Sequence, residues 1–222
     1  MAWLSTEFYY YKGSPPCRAV WMTLKMLNVE YEAKEVDLLK AENKRPWFLR
    51  MNPQHTVPTF NDHSFILWES RAIMMNQRKE RKVDRMLFFD MGTLYHSIKE
   101  YFAPKIYDGL PPDPEKENLL KTSLDHLDHF LEIGGVPYLC GERITIADVA
   151  VLASVTELDA MEYNYRCYGE FNRWVERVKA AIKPYKECCE EGVRMTKDRT
   201  KFLETEVKKQ MEKERKASLP KK

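Results

Sequence analysis

The chain has 222 residues, 44% hydrophobic and 32% charged, with a formal net charge of +2. That length fills one large core or two modest ones, and no apolar run approaches the roughly 20 residues that cross a bilayer, so a folded cytoplasmic protein without a membrane span is expected. Five cysteines without C-x-x-C spacing speak against a disulfide framework or zinc site, and eight glycines without a phosphate-loop pattern speak against a nucleotide enzyme.

The first elements change period repeatedly. The aromatic run FYYY at 8–11 predicts a strand. From Cys17 the apolar residues fall at 17, 20, 21, 24 and 27, one face of a helix ending near Asn28. Val29, Tyr31 and Ala33 then alternate with Glu30 and Glu32, the pattern of a half-buried strand. A short irregular helix near RPWFLRM follows, then a hairpin of TVPTF and FILW around NDHS, then a helix from about Glu69. Strand, helix, strand, short helix, strand pair, helix is the order of a thioredoxin-like domain, placed at residues 1–76.

From residue 77 to 194 the pattern is all-helical. Val83, Leu87, Met91, Leu94, Ile98 and Phe102 form one stripe, and Leu120, Leu124, Leu127 and Leu131 a second that Gly134 and Gly135 stop. ITIADVAVLASV opens with Thr145 and Asp148 three apart, a capping-box variant, before a helix apolar nearly all round that belongs at the centre of the domain. Tyr168, Phe171, Trp174, Val175 and Val178 mark a further helix ending before Pro184. Residues 195–222 form a charged tail. From Arg194 to Lys222 there are eleven Lys and Arg against five Asp and Glu, +6, leaving −4 for the rest. With Leu203, Val207 and Met211 at four-residue spacing this reads as an amphipathic helix, either a solvated extension or a surface for nucleic acid, an acidic partner or an anionic membrane.

Three stretches carry candidate chemistry. In KGSPPCRAV, Ser14 precedes a helix that opens with Pro15, so its hydroxyl either caps the helix or faces an anion drawn to the helix N-terminus. Cys17, on the apolar face, reads as a buried structural thiol. In NPQHTVPT, a cis bond before Pro58 would turn the Val57 backbone outward, toward an extended ligand. In WESRAI, Glu69 and Ser70 start a helix. HLDH brings Asp125, His126 and His129 close enough to share a metal ion, but without a third distant ligand a solvated face is the reading. No G-x-S-x-G elbow is present.

In order and spacing, YYYKGSPPCRAV, NPQHTVPT and LWESRAI, with FFDMGTLY, ITIADVAVLASV and FNRWVERVK beyond them, resemble the cytosolic glutathione S-transferases, and most of all the insect delta class. The resemblance implies a thioredoxin-like domain followed by an all-α domain, conjugation of glutathione to hydrophobic electrophiles, and Ser14 as the catalytic serine. By the same resemblance His55 meets the glycine end of glutathione, Val57 pairs its backbone with the cysteinyl part beside Pro58, and Gln54 lines the groove. Glu69, Ser70 and Arg71 hold the γ-glutamyl end, and Tyr95, Ile98 and Phe102 line the electrophile pocket. Glutathione is then a co-substrate, with no metal, no nucleic-acid partner and a homodimer as the assembly. Three departures qualify the match: segment 72–87 is compressed, which weakens the expected dimer; Asn43 stands where delta-like members often have histidine; and the basic tail is long enough to reach the second-substrate pocket. The alternative is a catalytically weak scaffold of the same fold acting through its tail.

Overall fold

The computed structural model describes residues 6–74 and 81–217. Four strands, β1 (Glu7–Tyr10), β2 (Glu32–Glu35), β3 (Thr59–Asp62) and β4 (Phe65–Trp68), form one sheet in the order β2-β1-β3-β4. β1 runs parallel to β2, with Glu7 opposite Glu32, and antiparallel to β3, with Phe8 opposite Phe60. Phe8 and Tyr10 point to one face, as strand alternation requires, and are buried together with Cys17, Val20 and Leu24 of α1 (Pro15–Met26).

The strand expected from Val29 begins later. Asn28 takes a left-handed φ of 52° and the Val29 amide donates to the Leu24 carbonyl at 3.0 Å, so these residues close α1. β2 therefore starts at Glu32, an edge strand whose Ala33 is exposed. The hairpin turn is tighter than NDHS: only His63 and Ser64 have positive φ, 51° and 75°, the pair a two-residue turn uses. Short α2 (Pro46–Met51) and α3 (Ser70–Met74) complete the first domain.

The second domain holds α4 (Arg81–Phe89), α5 (Tyr95–Ala103), α6 (Pro114–Gly134), α7 (Ile146–Ala160) and α8 (Gly169–Ala181). Between α4 and α5 the chain makes a π turn over Asp90–Leu94. Its wider winding shifts the stripe read from the sequence. Val83, Leu87, Leu94, Ile98 and Phe102 are buried, but Met91 turns out to 44% exposure and Asp90 turns in. α7 is buried along its length. Asp148 accepts from the Thr145 amide at 2.8 Å, the Leu139 amide at 2.9 Å and the Trp174 indole at 3.0 Å, tying α7 to a neighbouring turn and to α8.

Two buried arginines join the domains. Arg18 of α1 donates to Thr156 Oγ1 at 2.6 Å and pairs with Glu157 at 3.3 Å, both on α7. Arg71 of α3 pairs with Asp90 and donates to Ser154.

The charged tail belongs to a longer element. α9 (Glu191–Ala217) is one 27-residue helix that runs through residue 195 unbroken. Thr196 and Thr200 are buried on it, Leu203 and Val207 half-buried, and Met211 exposed, so only its first half packs on the body. Among the described residues no helix is long and apolar enough to cross a membrane.

Candidate active site

The proline pair after Ser14 narrows what its hydroxyl can cap. A capping side chain bonds the amide of the second or third helical residue; the second, Pro16, has none, which leaves only the Cys17 amide. Ser14 occupies the N-cap position of α1 with extended backbone, φ −93° and ψ 119°, yet its side chain makes no capping bond. Its backbone is fixed at both ends: the amide donates to Tyr11 O and the carbonyl accepts from Arg18 N, each at 3.0 Å. The half-buried residue that carries the hydroxyl is thus anchored at the positive end of a helix. Cys17 is wholly buried, and burial pushes its thiol up to about 11 against the Ser14 and Tyr11 hydrogen bonds that lower it, so it stays protonated at neutral pH.

A cavity of about 470 Å³ lies between the two domains, lined by Ser14, His55 and Val57 on one side and by Tyr95, Ile98 and Tyr107 on the other. The loop carrying His55 is organised from below. Asn52 is fully buried; its amide donates at 3.0 Å to Thr56 O, Thr56 Oγ1 and Thr59 Oγ1, and its carbonyl accepts from the Gln54 amide. From the side, Asn43 donates to the His55 carbonyl at 2.7 Å. The Val57–Pro58 bond is cis.

The remaining expected residues lie elsewhere. Gln54 is exposed and Pro58 buried, and neither lines the cavity. Glu69 has φ 68°, costly for a residue with a side chain, and this backbone turns β4 into α3. Ser70 is buried and accepts from Arg71 at 2.9 Å. Arg71, expected at the γ-glutamyl end, is spent on Asp90, Ser70 and Ser154, with its guanidinium 5.8 Å from the Tyr95 ring centroid. Phe102 is buried against Tyr101 and Tyr163 and does not line the cavity. His129 lies 3.5 Å from Glu132 and His126 stacks on Phe130; no group of three ligands fit for a metal occurs among the described residues.

The helical wall adds residues the sequence reading did not single out. Tyr107 and Ile106 come from a π turn after α5, Glu157 from α7, Thr196 and Arg199 from α9, and Lys99 follows Ile98. Burial raises the Tyr95 and Tyr107 hydroxyls above their ordinary range, so both are neutral. Only a helical period in α9 that begins at Gly192 would have flagged Thr196 and Arg199.

Residues 6–75 match the model of the glutathione S-transferase N-terminal domain, and residues 96–188 that of the glutathione S-transferase C-terminal domain. The chain belongs to the glutathione S-transferase family. A delta-class glutathione transferase of Nilaparvata lugens is 38% identical, with TM-score 0.83, over 89% of this chain and 99% of that one. A Bombyx mori glutathione transferase is 33% identical, with TM-score 0.82, over 88% and 97%. An epsilon-class enzyme of the housefly, Musca domestica, is 28% identical, with TM-score 0.79, over 89% and 98%. This glutathione S-transferase is accordingly an enzyme, and its family uses glutathione as co-substrate.

Proposed function

We propose that the enzyme joins the glutathione thiolate to hydrophobic electrophiles, with Ser14 donating a hydrogen bond to the sulfur. The observation that carries this reading is the Ser14 hydroxyl, left without a capping partner and lining the interdomain cavity. A thiol of pKa about 8.5 is a few per cent ionised at neutral pH, and lowering it by about two units takes about 2.7 kcal/mol of preference for the anion. One hydrogen bond to a charged group gives about 1.5–3 kcal/mol, and the helix end adds about 0.3–1 kcal/mol. Together they suffice without a general base. The sulfur then attacks the electrophilic carbon directly, with no covalent enzyme intermediate.

In this reading the tripeptide extends across the first domain. His55 meets its glycine end, Val57 pairs its backbone with the cysteinyl part beside Pro58, and Gln54 flanks the groove. Glu69 and Ser70 take the γ-glutamyl ammonium and carboxylate. Arg71 acts at one remove, by orienting Ser70 and fastening α3 to the second domain. Tyr95 and Ile98, joined by Ile106 and Tyr107, form the wall for the electrophile, while Phe102 belongs to the core. Homodimer assembly, common in the family, belongs to the same reading; part of the compressed segment 72–87, residues 75–80, lies outside the described residues.

The test is a glutathione titration followed by thiolate absorbance in the ultraviolet, with wild type beside Ser14→Ala at neutral pH. A thiolate signal in wild type that the variant lacks, with glutathione still bound by both, is the expected result. Equal ionisation in both proteins removes Ser14 from the mechanism.

A further inference from the structure

The helical wall of the cavity is charged in a way that hydrophobic electrophiles alone do not explain. On α5, Ile98 and Lys99 stand one turn on from Tyr95; on α9, Arg199 stands one turn on from Thr196. Lys99 and Arg199 both line the cavity, and neither has an ion-pair or hydrogen-bond partner among the described residues. The acid beside them is already taken: Glu157 is bridged to Arg18 at 3.3 Å. Arg199 is half-buried, close enough to Tyr11 and Tyr107 to pull both hydroxyls down against the effect of burial. A partly desolvated guanidinium without a counter-charge is an unfavourable arrangement that an incoming anion relieves, and its planar fork fits a carboxylate.

Resting on the transferase reading above, we infer that the preferred second substrate is an apolar electrophile bearing a carboxylate, its body against Tyr95, Ile98 and Tyr107 and its charge between Arg199 and Lys99. The position of the two cations assigns them to this substrate. They come from the helical domain, whereas the residues expected to hold glutathione lie across the cavity on the first domain. Lys99, at the exposed rim, draws the anion in, and Arg199 holds it.

A chlorodinitrobenzoate and its methyl ester test this, since they present the same aryl chloride with and without the charge. In each the aryl C–S bond forms as chloride leaves with its electron pair. With kcat/KM divided by the uncatalysed rate, wild type favours the acid by about tenfold, the loss of one charge-assisted contact at a partly exposed site. Arg199→Gln abolishes that preference and Arg199→Lys keeps most of it. Turnover of both compounds with no preference, or an Arg199→Gln effect confined to the KM of glutathione, overturns the inference and leaves the transferase reading standing. A second readout separates the two: binding of dinitrobenzoate, which lacks a leaving group, followed by tryptophan fluorescence. Binding that Arg199→Gln weakens, without turnover of either compound, supports the anion site and overturns the transferase reading. Neither binding nor turnover overturns both.

Discussion

Gly192, in the first turn of α9, lies directly against the carbonyl of Lys12. A Cβ there would fall far inside van der Waals contact of that oxygen and 3.0 Å from the Arg18 guanidinium. The last helix is thus seated on the loop that presents Ser14, and only glycine permits it. Gly192→Ala is expected to push the helix and the loop apart, at about 1–3 kcal/mol for an overpacked site, and to lower kcat/KM. Thermal unfolding and glutathione kinetics measure both; unchanged values in both would mean that the seating of α9 does not fix the Ser14 loop.

Arg18 predicts a pH dependence. Burial raises the Glu157 carboxyl above its ordinary value, and Arg18 pulls it back. An acid whose folded pKa is raised contributes stability that is present below the ordinary carboxylate range and lost as pH rises through the folded value. Without Arg18 the rise is larger, so Arg18→Met should cost about 3–5 kcal/mol at neutral pH and progressively less as acid protonates Glu157. Adding Glu157→Gln should recover much of the loss. Urea midpoints from neutral to acid pH give the answer, and an equal deficit at every pH defeats the account.

Much of this organisation is legible from residue order. α1, α7 and the hairpin follow from apolar period, the Thr145 box and turn residues, because local chemistry and tertiary burial agree there. Met91 and Val29 fail for definite reasons. A π turn breaks the 3.6 period that put Met91 on the stripe, and a helix-closing bond takes the Val29 amide from the sheet. Within the site, Ser14 stands out for its prolines. Arg71 enters the site only through the resemblance, and no pattern in the sequence shows that Asp90, nineteen positions on, pairs with its guanidinium.

The loop bearing His55 should be sensitive to two asparagines in different ways. Asn52→Ala removes a buried amide that makes three donor bonds and leaves only the Thr59 to Thr56 bond among those partners, so stability should fall by about 2 kcal/mol. Asn43→Ala removes one exposed bond, to the His55 carbonyl, and should raise the glutathione KM a few-fold, about 0.5–1 kcal/mol, with little change in melting temperature. If Asn43→Ala leaves the KM untouched, the His55 loop holds its place without it.

The buried pair of Arg71 and Asp90 provides the sharpest division between a binding and a structural role. Both are nearly inaccessible, and Arg71 Nε and Asp90 Oδ1 have no hydrogen-bond partner, so each charge depends heavily on the other. Removing one partner strands its mate, which costs about 3–5 kcal/mol, whereas replacing both with apolar residues of similar size is often close to neutral. Asp90→Leu and Arg71→Met should therefore each destabilise strongly, and the double variant should be more stable than either. A glutathione contact behaves differently: Arg71→Met would raise the glutathione KM while stability stayed near that of wild type, and Asp90→Leu would not rescue it. Chemical denaturation of the three variants, with glutathione KM measured on each, decides whether Arg71 grips the tripeptide or fastens the domain that does.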